Sequence, residues 1–308
     1  MNPYTDTTFW QFFNVLFQRL GTLLTGGPIA SDELQIAVLS LVAISGALIG
    51  PFLILRKMTM LANALSHTIL IGIALAFLVS PSDDLYAHLP LFMVAAVLTG
   101  LATAFITEFF TSTLRLQADA STGLTFTSLF ALGILLVTLL TRNAHIGTEI
   151  VMGNVDALQI SDMYWAALIA AINIVIILLF FKEYTLTTFD KALAVSLGFS
   201  PAFFSYLLMT QVSITVVSGF RAVGVLMVLA LLTAPALTAR LITHKLKHLI
   251  LYSILIGIIG AFMGVALSRH ILSVQNIALS TAGVTVCVLT FIFILAALIK
   301  VGRSKFAR

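Results

Sequence analysis

Apolar runs of near-helical-span length, cut by short polar clusters, fill the chain from residue 34 onward. They fall at 34–55, 58–80, 89–110, 121–141, 160–181, 203–219, 221–241, 247–269 and 275–299. A helix needs roughly 20 mainly apolar residues to cross a bilayer. The pattern therefore predicts an all-α, polytopic transmembrane bundle of about nine spans. The sixth and seventh runs are separated only by Gly219 to Arg221. An earlier aromatic stretch, FWQFFNVLFQRL (9–20), is too short and too polar to span with ease. It reads as an amphipathic helix lying in the membrane interface, with an additional span as the alternative. Three regions follow: an N-terminal segment (1–33) with the interfacial helix, a transmembrane domain (34–300), and a basic tail (301–308).

Composition narrows the class. Of 308 residues, 60% are hydrophobic and 9% charged, and the mean hydropathy is +1.12. A soluble domain carries about 25% charged residues. So much apolar surface needs lipid as its solvent. The start, MNPYTDTTFWQFF, lacks the basic region of a cleavable signal, so no processing is expected. The single cysteine, Cys287, reads as a small buried hydrophobe.

Charge sets an orientation. Arg56, Lys57, Arg115, Lys182, Lys191, Arg240, Lys245, Lys247, Lys300, Arg303, Lys305 and Arg308 fall on one side of the predicted spans. Only Arg19, Arg142, Arg221 and Arg269 fall on the other. The positive-inside rule makes the first side, and the C-terminus, cytoplasmic. The opposite connections, SPSDDLYAH (80–88) and RNAHIGTEIVMGNVDALQISD (142–162), are acidic or neutral. The net charge of +4 is scattered over span ends, which argues against a nucleic-acid partner.

Catalytic patterns are missing from the sequence. There is no H-E-x-x-H, no G-x-S-x-G, no pair of aspartates within a span and no G-x-x-x-x-G-K-[ST] phosphate loop. A membrane-embedded enzyme is poorly supported, and the chain carries no evident ATPase of its own. What remains is a set of rare polar groups at membrane depth. Asn63 and His67 stand one helical turn apart in the second span, on one face. A packing histidine bonded to a neighbouring helix is one reading. A ligand lining a substrate path is the other, because polar groups at depth are costly and usually face a cavity. Neutral imidazole suits zinc, manganese and iron(II).

Other polar groups have blander readings. Glu108, near Arg115, is an interfacial charge. His145, Glu149 and Asp156 share one outer loop, but their spacing is loose for a metal site. His244 and His248 flank Lys245 and Lys247 on a headgroup-anchoring segment. Gly46 with Gly50, and Gly72 with Ala76, have the small-x-x-x-small spacing of close helix packing. Pro235 interrupts the ladder of the seventh span, as a kink or as part of a cavity wall.

The segment TTFDKALAVSLGFSPAFF (187–204) stands outside lipid. It predicts a short helix starting at Asp190 and stopping at Gly198 before Pro201. Phe189, Leu193, Val195 and Leu197 would be exposed unless the helix docks into a groove on a soluble partner.

These stretches resemble a family. GPFLILRKMTMLANALSHTILIGIALAF (50–77), STGLTFTSLFALGILLVTLL (121–140), IVMGNVDAL (150–158), FDKALAVSLGFSP (189–201) and VGVLMVLALLTAPALTARL (223–241) are similar, in order, to the integral-membrane permeases of bacterial zinc, manganese and iron ABC importers. The resemblance runs from about residue 34 onward. It implies a pore of two permeases, the second identical or related, in the bacterial inner membrane. It also implies two cytoplasmic ATPase subunits and an extracytoplasmic metal-binding protein. The transported divalent ion would be cargo, with no permanently bound cofactor. It places the coupling helix to the ATPase within 188–200, with Phe189, Asp190, Ala194, Leu197 and Gly198 at the contact. It turns Asn63 and His67 toward the translocation path, His67 as a transient metal ligand. The family pattern has aspartate where Asn63 stands, and an amide is the weaker ligand. A gradient-driven secondary transporter is the alternative, but it would want carboxylates at depth, and these are nearly absent.

Overall fold

The computed structural model describes residues 3–5, 7–24, 27–79, 89–141 and 155–306. Among them all regular structure is helical. The helices are α1 (Phe9–Leu24), α2 (Ser31–Leu55), α3 (Thr59–Val79), α4 (Leu89–Ser112), α5 (Ala118–Thr141), α6 (Ile160–Leu179), α7 (Phe181–Phe189), α8 (Lys191–Ser196), α9 (Pro201–Val223), α10 (Val225–Ile242), α11 (Leu246–Gln275) and α12 (Thr281–Phe306). Eight are long and apolar enough over their described residues to cross a membrane, and α4 adds the apolar stretch Val97–Thr111. These nine helices match the nine apolar runs, and the chain is a polytopic helical bundle.

Helix ends depart from the apolar runs where backbone conformation decides. The break between α9 and α10 falls at Gly224, not at Gly219 to Arg221. Gly224 has φ +82, a region closed to most side chains, whereas Gly219 sits inside α9. The eighth span runs on to Gln275 and ends at Asn276 in a left-handed conformation (φ 54), so Arg269 lies within a helix. The last span starts only at Thr281 and carries helix into the basic tail, to Phe306.

The chain divides into two compact units. The first comprises Met1–Pro51, Asn154–Ala170 and Ala222–Arg308. In it, α2 approaches α10 closely through Gly46 and Gly50. A Cβ on Gly50 would lie 2.1 Å from the Leu232 carbonyl oxygen, and one on Gly46 would lie 3.0 Å from that of Leu231. The small-residue spacing is thus used for backbone contact. Pro235 stays inside α10 and is buried. Lacking an N–H, it leaves the Leu231 carbonyl without its helical donor, and that carbonyl is the one that faces Gly46.

Several charges in this unit have close polar partners. Arg269 on α11 makes two hydrogen bonds to Asp32 on α2, at 2.6 and 2.7 Å. Asp156 accepts from Thr281 at 2.6 Å and from Gln35 at 3.3 Å. Glu33 accepts from Tyr4 at 2.9 Å and from Arg19, which ties α1 to the start of α2. Trp10 and Phe17 remain exposed on α1, seven residues apart on one stripe. Cys287 is exposed, contrary to expectation, because α12 buries only 11% of its span within the chain.

The second unit comprises Phe52–Gly153 and Ala171–Arg221. Here α3 lies between α4 and α5, and α7, α8 and the start of α9 gather at one end of the helices. Asn173 on α6 donates to Thr215 on α9 at 2.7 Å, and Gln211 donates back to Asn173 at 3.3 Å. Such pairs satisfy polar groups that lipid would leave stranded.

Candidate functional site

Two places in the second unit carry the sequence's site residues. The first is one turn of α3. Its two edges differ. Thr68 is buried and accepts a hydrogen bond from Thr103 of α4 at 2.8 Å. It is a packing group, pointed away from Asn63. His67 is only half-buried and faces α5. The rings of Phe126 and Phe130 each lie 5.4 Å from its own, and the two phenyl rings stack on each other at 5.7 Å. Nδ1 of His67 is shielded from solvent and has no hydrogen-bond partner. The ring is held by aromatic packing and not by a hydrogen bond through Nδ1. Asn63, one turn earlier, is exposed, and its main-chain carbonyl accepts from the Ser66 hydroxyl at 2.7 Å. The turn therefore presents one imidazole and one amide side by side. Among the described residues no three His, Cys, Asp or Glu side chains gather into a metal cluster.

The second place is the segment around α8. Asp190 sits between α7 and α8 in an extended conformation, φ −141, and its side chain accepts from the Leu193 N–H at 2.9 Å. This is an N-cap. At the other end the Gly198 N–H bonds to Val195 O at 3.0 Å and the Phe199 N–H to Ala194 O at 2.9 Å. Gly198 has φ +84, so the pair forms a Schellman stop that only a residue free of Cβ strain makes at low cost. Both ends of a six-residue helix are thereby closed. Its outer surface is apolar: Val195 is 62% exposed and Leu197 59%, with Phe189, Leu193 and Phe199 exposed around them. Ala194 departs from the expected contact set. It is 0% exposed and packs against the chain itself, so it is not available to a partner.

Arg56 is the functional candidate that the sequence reading passed over as one more basic residue. It follows α2 directly. Its Nε donates to Thr188 at 2.9 Å, Nη2 to Thr187 at 2.6 Å and Nη1 to Ser205 at 3.1 Å. The guanidinium lies over the Tyr184 ring at 5.6 Å. Burial pulls its pKa down from the ordinary value. Among the described residues no carboxylate stands within ion-pair distance of it. Phe126 and Phe130 were likewise passed over. Their spacing of four, opposite a lone histidine, was the available signal.

The remaining sites disperse. His145 and Glu149 lie outside the described residues, as do 80–88, and the side chain of Arg221 is not described. Asp156 belongs to the Gln35 and Thr281 network. Glu108 and Arg115 are exposed and unpaired with each other; Glu108 lines a cavity with Lys191 instead. His244 and His248 are exposed.

Comparison with known proteins adds a further line. The model of the ABC 3 transport family matches residues 32–300. A probable metal transport system membrane protein of Chlamydia muridarum is 39% identical over 297 residues, covering 96% of this chain and 93% of the relative. The manganese transport system membrane protein MntD of Bacillus subtilis is 37% identical over 238 residues, covering 73% of this chain and 79% of that one. Among solved structures, PsaBC from Streptococcus pneumoniae in complex with Fab superimposes with a TM-score of 0.72 at 29% identity, over 85% of this chain and 89% of that chain.

Proposed function

Because the chain belongs to the ABC 3 transport family, we propose that it works with two cytoplasmic ATPase subunits, a second permease and an extracytoplasmic metal-binding protein. It is the multi-pass permease subunit of an ABC importer of divalent transition-metal ions. Manganese, zinc and iron are the candidate cargoes. The membrane is the bacterial inner membrane, with the C-terminus in the cytoplasm, as the distribution of basic residues favours.

The observation that carries this reading is α8. A six-residue helix capped at both ends is stiff, and its exposed face is apolar. Exposed Val195, Leu197 and Phe199 fit a groove on a soluble subunit, and the Asp190 and Gly198 caps hold the helix in shape while it is pushed. ATP binding in the partner moves this helix, and the movement opens and closes the path between the spans. Asn63 and His67 line that path. The imidazole offers the passing ion one nitrogen ligand, and the amide offers one weak oxygen. A conducting site has to release what it binds. A weak pair of this kind suits transit better than a closed cage would.

The test uses co-purification. Leu197→Asp and Val195→Asp place a charge on the docking face, and burying it against the partner costs several kcal/mol, on the order of a hundredfold or more in affinity. Both variants reach the membrane in wild-type yield and lose the ATPase. Undiminished co-purification with both would rule out the docking assignment.

A further inference from the structure

Arg56 joins three helices at the point where the docking segment meets the path. Its three donors diverge. Two reach α7, at Thr187 and Thr188, and one reaches the start of α9, at Ser205. These positions bracket α8 on both sides. The Tyr184 ring beneath the guanidinium also touches Phe52 of α2 at 5.3 Å and Phe204 of α9 at 5.5 Å. Its hydroxyl donates to Gln211 of α9 at 2.7 Å. Arg56 is thus bonded to the elements that run into and out of α8.

Arg56 in turn stands on a corner with little give. Three residues, Arg56, Lys57 and Met58, connect α2 to α3. Lys57 takes φ 59, its N–H bonds to Ile54 O at 3.2 Å, and the Met58 N–H bonds to Leu53 O at 2.8 Å. The Met58 carbonyl then accepts from Ala62 at 3.1 Å, inside α3. Asn63 is the next residue, and His67 is one turn on. Beside the corner lies a cavity of about 220 Å³, lined by Met58, Leu61, Glu108, Lys191, Ser205 and Tyr206 among others. It leaves volume into which the joined elements can shift.

We propose that Arg56 is a positioning residue that makes the α8 segment and the α2–α3 corner move as one body, so that displacement of the docking helix reaches Asn63 and His67. This rests on the docking reading of α8. The choice of acceptors fits a moving joint. Thr187, Thr188 and Ser205 each already donate to a carbonyl of their own helix, at 2.8, 2.6 and 2.9 Å. Losing Arg56 therefore strands no buried donor, and the variants fold. A lysine cannot replace it, because one ammonium does not reach three acceptors spread over two helices.

The experiment uses the full transporter in proteoliposomes, with manganese(II) as the probe. It reads metal taken up per ATP hydrolysed. Wild type is compared with Arg56→Gln, Arg56→Lys and the double variant Thr187→Val with Thr188→Val. All four co-purify with the ATPase and unfold at similar temperatures. Uptake per ATP falls roughly fivefold or more in both Arg56 variants, the lower bound for loss of a coupling free energy. It falls by a smaller factor in the double variant, which keeps Arg56 but removes two of its acceptors. A wild-type ratio in Arg56→Gln overturns the proposal. If that variant fails to assemble, the double variant decides: a lowered ratio supports the joint, and a wild-type ratio overturns it. Failure of the docking reading is seen separately, as Leu197→Asp complexes that still hold the ATPase.

Discussion

Arg269 in the first unit and Arg56 in the second are held in opposite ways. In the first, Arg269 and Asp32 meet in two parallel hydrogen bonds, and Asp156 is held by Thr281 and Gln35. In the second, Arg56 is held by three hydroxyls and lies over the Tyr184 ring. A bidentate pair of full charges in a low-dielectric setting has one good geometry and a steep cost for leaving it. A guanidinium among hydroxyls has several acceptable geometries of similar energy. On the proposed reading, the first kind of contact fixes the framework, and the second keeps its grip on α7 and α9 while those elements shift together.

The sharpest way to break that contrast is to unlock the first unit. Arg269→Ala removes the guanidinium that makes two hydrogen bonds to the Asp32 carboxylate, which is 1% exposed. Loss of one partner from a buried pair costs about 3 kcal/mol, the low end of the usual range because Arg269 itself keeps some solvent contact. The expected result is a large drop in membrane yield and unfolding temperature, with normal uptake for each complex that survives. Stability equal to wild type would show that the pair is not framework.

Next in size are changes at the α3 turn, where function moves and stability does not. His67→Ala lowers uptake per assembled complex on the order of tenfold, the scale for disturbing a metal's coordination shell. Asn63→Asp raises manganese occupancy in the purified transporter and slows its release, since a carboxylate binds more tightly than an amide. Wild-type uptake per complex in His67→Ala would return the residue to simple packing.

The smallest effect is reserved for Thr68→Ala. It deletes one interhelical hydrogen bond, worth roughly 0.6 kcal/mol in a membrane bundle. Uptake per complex stays near wild type, because Thr68 points at Thr103 and not at the turn's open edge. A loss matching that of His67→Ala would mean the two edges of α3 are not distinct.

Local features were legible in the sequence. The spans follow from apolar length, and α8 follows from Asp190 and Gly198, because capping is written within a few residues. The break at Gly224 was misread. Gly219 and Gly224 look alike in a list of residues, and only the backbone tells which one bends. The inward turn of Ala194 was also hidden, since a helix of six residues is too short for its buried face to show as a period. Arg56 and the Arg269 pair were out of reach for another reason. Their partners lie more than a hundred residues away in sequence, and nothing local distinguishes a basic residue that clamps from one that anchors to headgroups.

Pro235 and Gly46 give one more consequence. A proline in a helix normally turns a carbonyl loose, and a glycine normally leaves a gap. Here the loose carbonyl of Leu231 fills the gap beside Gly46. The two defects cancel, so neither residue is free to drift alone. Alanine at 46 would press its Cβ to 3.0 Å from the Leu231 carbonyl oxygen and ask α10 to give way slightly while the proline remains. Alanine at 235 would give the Leu231 carbonyl back its helical donor and with it a second claim on that oxygen. Positions far apart along the chain are in effect a single heritable character, and the tolerance of one to change depends on what occupies the other.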